Sequence, residues 1–185
     1  MADQSLRVAY ATFRCDAARW VRPQDIVPVE QLTPRLMLSL LVRHPPLRAM
    51  AWLRLAEALR ALGVRGVVRF VQRRLLRVYG LELSPGTSIG GGLYIAHPLG
   101  CVLHAERIGT NVTIIGQVTF GYRGGAQWPV IGDEAYIGVG ARVLGGIRVG
   151  DRAKIGANAV ALDDVPDDAS VVGIPARVVA RHTGA

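Results

Sequence analysis

The chain of 185 residues has only two cysteines, Cys15 and Cys101, and they fall in unlike surroundings. That excludes a disulfide scaffold and suits a reducing compartment. Aromatic residues make up 6% of the chain, which is low for a platform that stacks single-stranded nucleic acid. No zinc-finger, helix-turn-helix or RNA-binding signature is present either. No apolar run is long enough to predict a transmembrane helix. The N-terminal stretch MADQSLRVAYATFRCDAARW lacks the unbroken apolar segment of a signal peptide. The expected location is therefore the cytoplasm. Lysine occurs once, at Lys154, so arginine supplies nearly all of the basic charge.

That charge is unevenly placed. Residues 1–80 hold 14 arginines against five acids, a balance of +9. Residues 81–185 hold seven arginines and Lys154 against nine acids, a balance of −1. The basic first part reads as a helical region over residues 1–80. Helices are predicted over Leu32–Val42, Leu47–Leu62 and Val64–Tyr79 from apolar spacing, with Gly63 ending the second and Pro45-Pro46 separating the first two. Arg65, Arg69, Arg73, Arg74 and Arg77 flank the apolar stripe of the third. They read either as a solvated face or as an attraction to an anionic surface, such as lipid headgroups at the inner face of the membrane.

What dominates the rest is a period of six. Ile131, Ile137, Val143, Val149, Ile155 and Ala161 recur without a gap, and Ala135, Ala141, Ile147, Ala153, Ala159 and Val165 each follow four residues later. Leu83, Ile89, Ile95 and Cys101 carry the same spacing, with Thr87, Leu93, Leu99 and Ala105 as partners. The phase slips by one near Glu106-Arg107 and resumes at Ile108, Ile114 and Phe120. Five extra residues then leave the coil within Gly121–Val130, a stretch with three glycines and a proline that reads as a projecting loop. Such a period predicts a three-sided parallel β-helix of about four turns over residues 81–166. Aliphatics point inward, small residues sit at the corners, and residues 167–185 cap the end.

Histidines are scarce: His44, His97, His104 and His182. His97, two residues after the inward Ile95, stands where a turn begins and side chains face outward. A neutral imidazole there could take a proton from a hydroxyl. His104 reads as a hydrated turn residue. A metal-dependent lyase on the same coil would need three histidine ligands. Only His97 and His104 fall on the coil, so no metal is expected.

The passages LELSPGTSIGGGLYIAHPLG, VTIIGQVTFG, IGVGARVLGGIRVGDRAKIGANAVALDDVP and VVGIPARVV resemble the serine O-acetyltransferase branch of the hexapeptide acyltransferases over residues 81–179. The resemblance implies a left-handed coil and a homotrimer with active sites between subunits. It also implies acetyl-CoA as acyl donor, His97 as general base and Glu82, fifteen residues earlier, as the acid that orients it. For the donor it implies Gly121 and Tyr122 near the thioester, with their N–H groups as oxyanion donors. Gly138, Val139 and Ala157 would lie along the pantetheine arm, and Lys154 or Arg177 near the phosphates.

Two positions depart from that branch. Ala96 stands where an Asp would help hold the serine amino group, and Trp128 stands where a His would contact the acceptor. With Arg123-Gly124-Gly125 in the loop, these make the chain resemble more closely the exopolysaccharide, colanic-acid-type acetyltransferases. The expectation is acetyl transfer to a hydroxyl of a sugar or lipid-linked glycan, with Trp128, Arg123 and Ala96 at the acceptor. The alternatives are L-serine as acceptor, as in cysteine biosynthesis, and a non-catalytic trimeric scaffold whose basic helices meet a membrane or a partner.

Overall fold

The computed structural model describes residues 2–22, 28–84 and 86–182. Four helices lead: α1 (Ala2–Ala18), α2 (Pro34–Arg43), α3 (Pro45–Ala61) and α4 (Arg65–Tyr79). Sequence spacing missed α1 altogether and placed the others within about two residues. The Thr33 hydroxyl accepts the Leu36 N–H at 3.2 Å and caps α2, with Pro34 in its first turn. Pro45 and Pro46 open α3 rather than merely separating it from α2, since a first helical turn needs no N–H from them. Gly80, at φ 62°, takes the left-handed conformation that stops α4.

The coil follows as β1 (Leu81–Leu83), β2 (Ser88–Ile89), β3 (Tyr94–His97), β4 (Cys101–Leu103), β5 (Arg107–Ile108), β6 (Thr113–Gly116), β7 (Thr119–Gly121), β8 (Val130–Ile131), β9 (Tyr136–Ile137), β10 (Arg142–Leu144), β11 (Arg148–Val149), β12 (Lys154–Ile155), β13 (Val160–Ala161), β14 (Ala169–Val172) and β15 (Arg177–Arg181). Three parallel sheets form its sides: β1-β4-β7-β10-β13, β2-β5-β8-β11, and β3-β6-β9-β12-β14 with β15 added antiparallel. This is the predicted parallel β-helix, with about five turns rather than four. The extra turn comes from β14, which pairs in parallel with β12 inside what was expected to be capping tail.

Inside, the register is an aliphatic ladder on each side. Leu83, Leu103, Phe120, Val143 and Ala161 stack on the first sheet. Ile95, Ile114, Ile137, Ile155 and Val171 stack on the third. All but the end residue Leu83 are buried. The break in period has a part that was not expected, in addition to the slip near Glu106-Arg107. Leu103, not Cys101, occupies the ladder beside Leu83, while Cys101 pairs with Leu81. The extra residues therefore lie in the turn directly after His97, and the expected corner residue Leu99 is exposed there. Two interruptions of the coil thus follow His97 and Phe120.

The helices are locked to the first turns of the coil by arginine. Arg54, 1% exposed, donates to Asp16 at 2.7 and 3.0 Å, to Glu57 at 2.8 Å, and to the carbonyls of Ile89 and Gly90 at 3.0 and 2.6 Å. Asp16 also accepts the Leu93 N–H at 2.9 Å. Burial pushes the Asp16 carboxyl up, and the Arg54 guanidinium pulls it back. Arg19 donates to the Asn111 carbonyl and the Thr113 hydroxyl, both at 2.8 Å. Arg74 lies over the Trp52 ring at 4.8 Å. Part of the basic charge thus serves internal joints rather than an outer surface. Among the described residues no helix is long and apolar enough to cross a membrane.

Candidate active site

One corner of the coil, where the third sheet passes to the first, repeats in each turn. There the chain runs through His97–Gly100, Gly116–Gln117, Gly138–Gly140 and Gly156–Asn158. His97 opens this column at the end of β3. Its strand partner is Gly116, where a side-chain Cβ would come within 2.9 Å of the His97 carbonyl oxygen. Glycine lets the next turn pass beneath the histidine. The widened turn is closed by the Cys101 N–H donating to Pro98 and the Gly100 N–H donating to Gly80, both at 3.0 Å. The His97 side chain is exposed and makes no ion pair or ring contact among the described residues. Ala96 beside it is half-buried. The Cys101 thiol, pushed up by burial, points to the His97 carbonyl at 3.5 Å.

Gly138, Val139 and Ala157 lie lower in the same column, with the Asn158 N–H donating to Val139 at 2.8 Å. A Cβ on Gly138 would meet the Ala157 nitrogen at 2.7 Å and the Ile155 oxygen at 2.8 Å, so only glycine fits. Val139 and Ala157 are exposed. The corner below His97 is therefore lined by glycine and small residues in successive turns. Lys154 is exposed on β12 and makes no ion pair among the described residues. Arg177 instead faces Asp163 at 3.5 Å across open surface.

The remaining predicted residues gather on the outer face of the first sheet. Glu82, in register with Val102, points outward from β1. Its carboxylate lies 3.2 Å from Nε2 of His104, and the expected Glu82–His97 pair is not formed. The reason is register. Residues 102 and 104 share the outward face of the β4 side, and that brings His104, not the corner His97, to Glu82. His104 stands edge-on to Trp128 at 5.5 Å, and Tyr122 stands edge-on to Trp128 at 5.5 Å. The projecting loop thus folds Trp128 back onto the sheet. Arg123 remains exposed, its Cβ 3.6 Å from where a Cβ on Gly145 would stand.

His104 was read from sequence as hydrated and is in fact half-buried in this cluster. The available signal was its position two residues from Val102, on the face where Glu82 also points. Among the described residues no group of three His, Cys, Asp or Glu side chains is arranged to hold a metal.

A helix-capped parallel β-helix built on hexapeptides, with an exposed histidine at the head of a glycine corner, defines a hexapeptide-repeat acyltransferase. Residues 129–161 match the family model for bacterial transferase hexapeptide (six repeats). The chain is 38% identical over 147 residues to a serine acetyltransferase of Helicobacter pylori, covering 77% of this chain and 86% of the relative. It is also similar to the crystal structure of serine acetyltransferase from Neisseria gonorrhoeae, with a TM-score of 0.80 at 33% identity over 98% of this chain and 70% of that one. A solved serine acetyltransferase in complex with CoA matches with a TM-score of 0.74 at 29% identity, over 96% of this chain and 72% of that one. The chain belongs to the serine acetyltransferase family and is an acetyltransferase. The narrower likeness to exopolysaccharide enzymes finds no support in these relatives.

Proposed function

We propose that this protein transfers the acetyl group of acetyl-CoA to a hydroxyl, with L-serine the acceptor its relatives favour. The observation that carries the reading is the exposed His97 imidazole at the head of the glycine corner, in a chain of this family. His97 takes the hydroxyl proton as the oxygen attacks the thioester carbonyl. The new C–O bond forms and the C–S bond breaks, and His97 returns the proton to the leaving sulfur. Backbone N–H groups around Gly121 and Tyr122 are assigned to the oxyanion. Gly138, Val139 and Ala157 are assigned to the arm of the donor, and Lys154 or Arg177 to its phosphates. The working form is taken to be a homotrimer, with the donor lying between coils. Glu82 has no assigned part in orienting His97, because His104 holds its carboxylate.

A second reading, a sugar or glycan hydroxyl, is favoured by one specific observation. Trp128 and Tyr122 stand edge-on to each other over the outer face of the first sheet, and the residue before His97 is the uncharged Ala96. Aromatic faces suit sugar rings, and an ammonium finds no carboxylate at position 96. Turnover of acetyl-CoA measured side by side with L-serine and with a panel of sugars decides between the two. His97→Ala should lower kcat by about 10²–10⁴-fold with whichever acceptor works. Near-normal transfer by that variant would remove His97 from the mechanism.

A further inference from the structure

Among the described residues His104 is the one imidazole of the coil that meets a carboxylate within 4 Å, and the proposed acetyl transfer makes no use of it. The His104 Nε2 faces the Glu82 carboxylate at 3.2 Å, and because a carboxylate only accepts, this contact favours the tautomer with its proton on Nε2. In the neutral ring Nδ1 is then a free lone pair, and it has no hydrogen-bond partner among the described residues. The ring is kept in place by Trp128 edge-on at 5.5 Å, and the side chain remains 26% exposed. Tyr122, itself exposed, also stands edge-on to Trp128 at 5.5 Å.

We propose that His104 determines acceptor specificity: Nδ1 accepts a hydrogen bond from a second O–H or N–H donor of the acceptor molecule, beside the hydroxyl that is acetylated, and Glu82 is the positioning residue that fixes the ring. The proposal rests on the acetyl-transfer reading above. It gives Glu82 a role through His104 rather than through His97.

The test compares His104→Phe and Glu82→Gln with wild type, as full-length protein, using acetyl-CoA and each working acceptor. His104→Phe keeps a ring for Trp128 to pack on and removes Nδ1, so a purely structural role would leave it near wild type. The expected result is an acceptor KM raised about tenfold in both variants, with the acetyl-CoA KM and the melting temperature little changed. The double variant should be no worse than His104→Phe alone. An acceptor KM unchanged in His104→Phe overturns the proposal. So does a Glu82→Gln effect confined to kcat with a displaced pH profile, since Glu82 would then serve the base. If L-serine is the acceptor, 3-hydroxypropionate, which lacks the amino group, should lose the sensitivity to His104→Phe. If a sugar is, the deoxy analogue at the neighbouring hydroxyl should lose it. A wild-type protein that acetylates nothing sinks the parent reading and this one together, whereas normal wild-type turnover with an indifferent His104→Phe sinks only this one.

Discussion

Replacing Arg54 by methionine tests the joint between the helices and the coil. Methionine approximates the arginine stem but removes all five donations to Asp16, Glu57 and the Ile89 and Gly90 carbonyls. Asp16, fully buried, is left with the Leu93 N–H as partner. Removing one side of a buried pair costs about 3–5 kcal/mol, mostly as the penalty on the charge left behind. For a chain of this size that is a fall in melting temperature of about 6–20 °C. The loss should depend on pH in a defined direction. Burial already pushes Asp16 up, and without Arg54 the opposing pull is gone. A carboxyl whose folded pKa is raised stabilises the fold at low pH and loses that contribution as pH rises through the folded value. The gap between Arg54→Met and wild type should therefore narrow as pH falls from 7 to 5. Asp16→Leu combined with Arg54→Met should recover much of the loss, since no bare charge remains. Differential scanning calorimetry across pH reads all three. A gap below about 2 °C, or one that widens in acid, would refute the reasoning.

Three further outcomes follow from the site and the coil end. Gly121→Ala places a Cβ at an ordinary 3.5 Å from Leu144, so folding should be preserved. The acetyl-CoA KM should nevertheless rise severalfold if Gly121 borders the thioester, as steady-state kinetics would show. Trp128→Ala removes ring contacts to both His104 and Tyr122 and should cost about 1–3 kcal/mol in urea unfolding, with a raised acceptor KM. At the coil's end, Arg152 donates to Asp168 at 2.6 and 2.7 Å and holds that carboxyl below its ordinary range. A depressed carboxylate contributes above its unfolded pKa and loses that contribution as pH falls through the folded one. Arg152→Ala should therefore lower the melting temperature at neutral pH, with the difference fading in acid.

Six-residue spacing was enough to place the coil, because inward aliphatics at every sixth position cannot be buried by any other short repeat of strands. The ladders from Ile131 to Ala161 fall where the period puts them. The period could not locate the wider turn after His97. Cys101 and Leu103 are both apolar and both buried, and only strand pairing shows that Leu103 sits beside Leu83. Helix α1 was missed because its polar and apolar residues are mixed, and its position is set by Asp16 and Arg19 reaching into the coil. The expected pairing of Glu82 with His97 came from the family resemblance rather than from spacing, and lateral register in the stacked coil places Glu82 against His104.

The amino-acid sequence by itself determined the β-helix, the exposed His97 at a turn and the projecting loop that bears Trp128, because periodicity and its breaks are local properties. Only the tertiary structure decided which outward side chains become neighbours. Residues some twenty positions apart stack one turn above another, and a shift of one or two residues at a corner changes who meets whom.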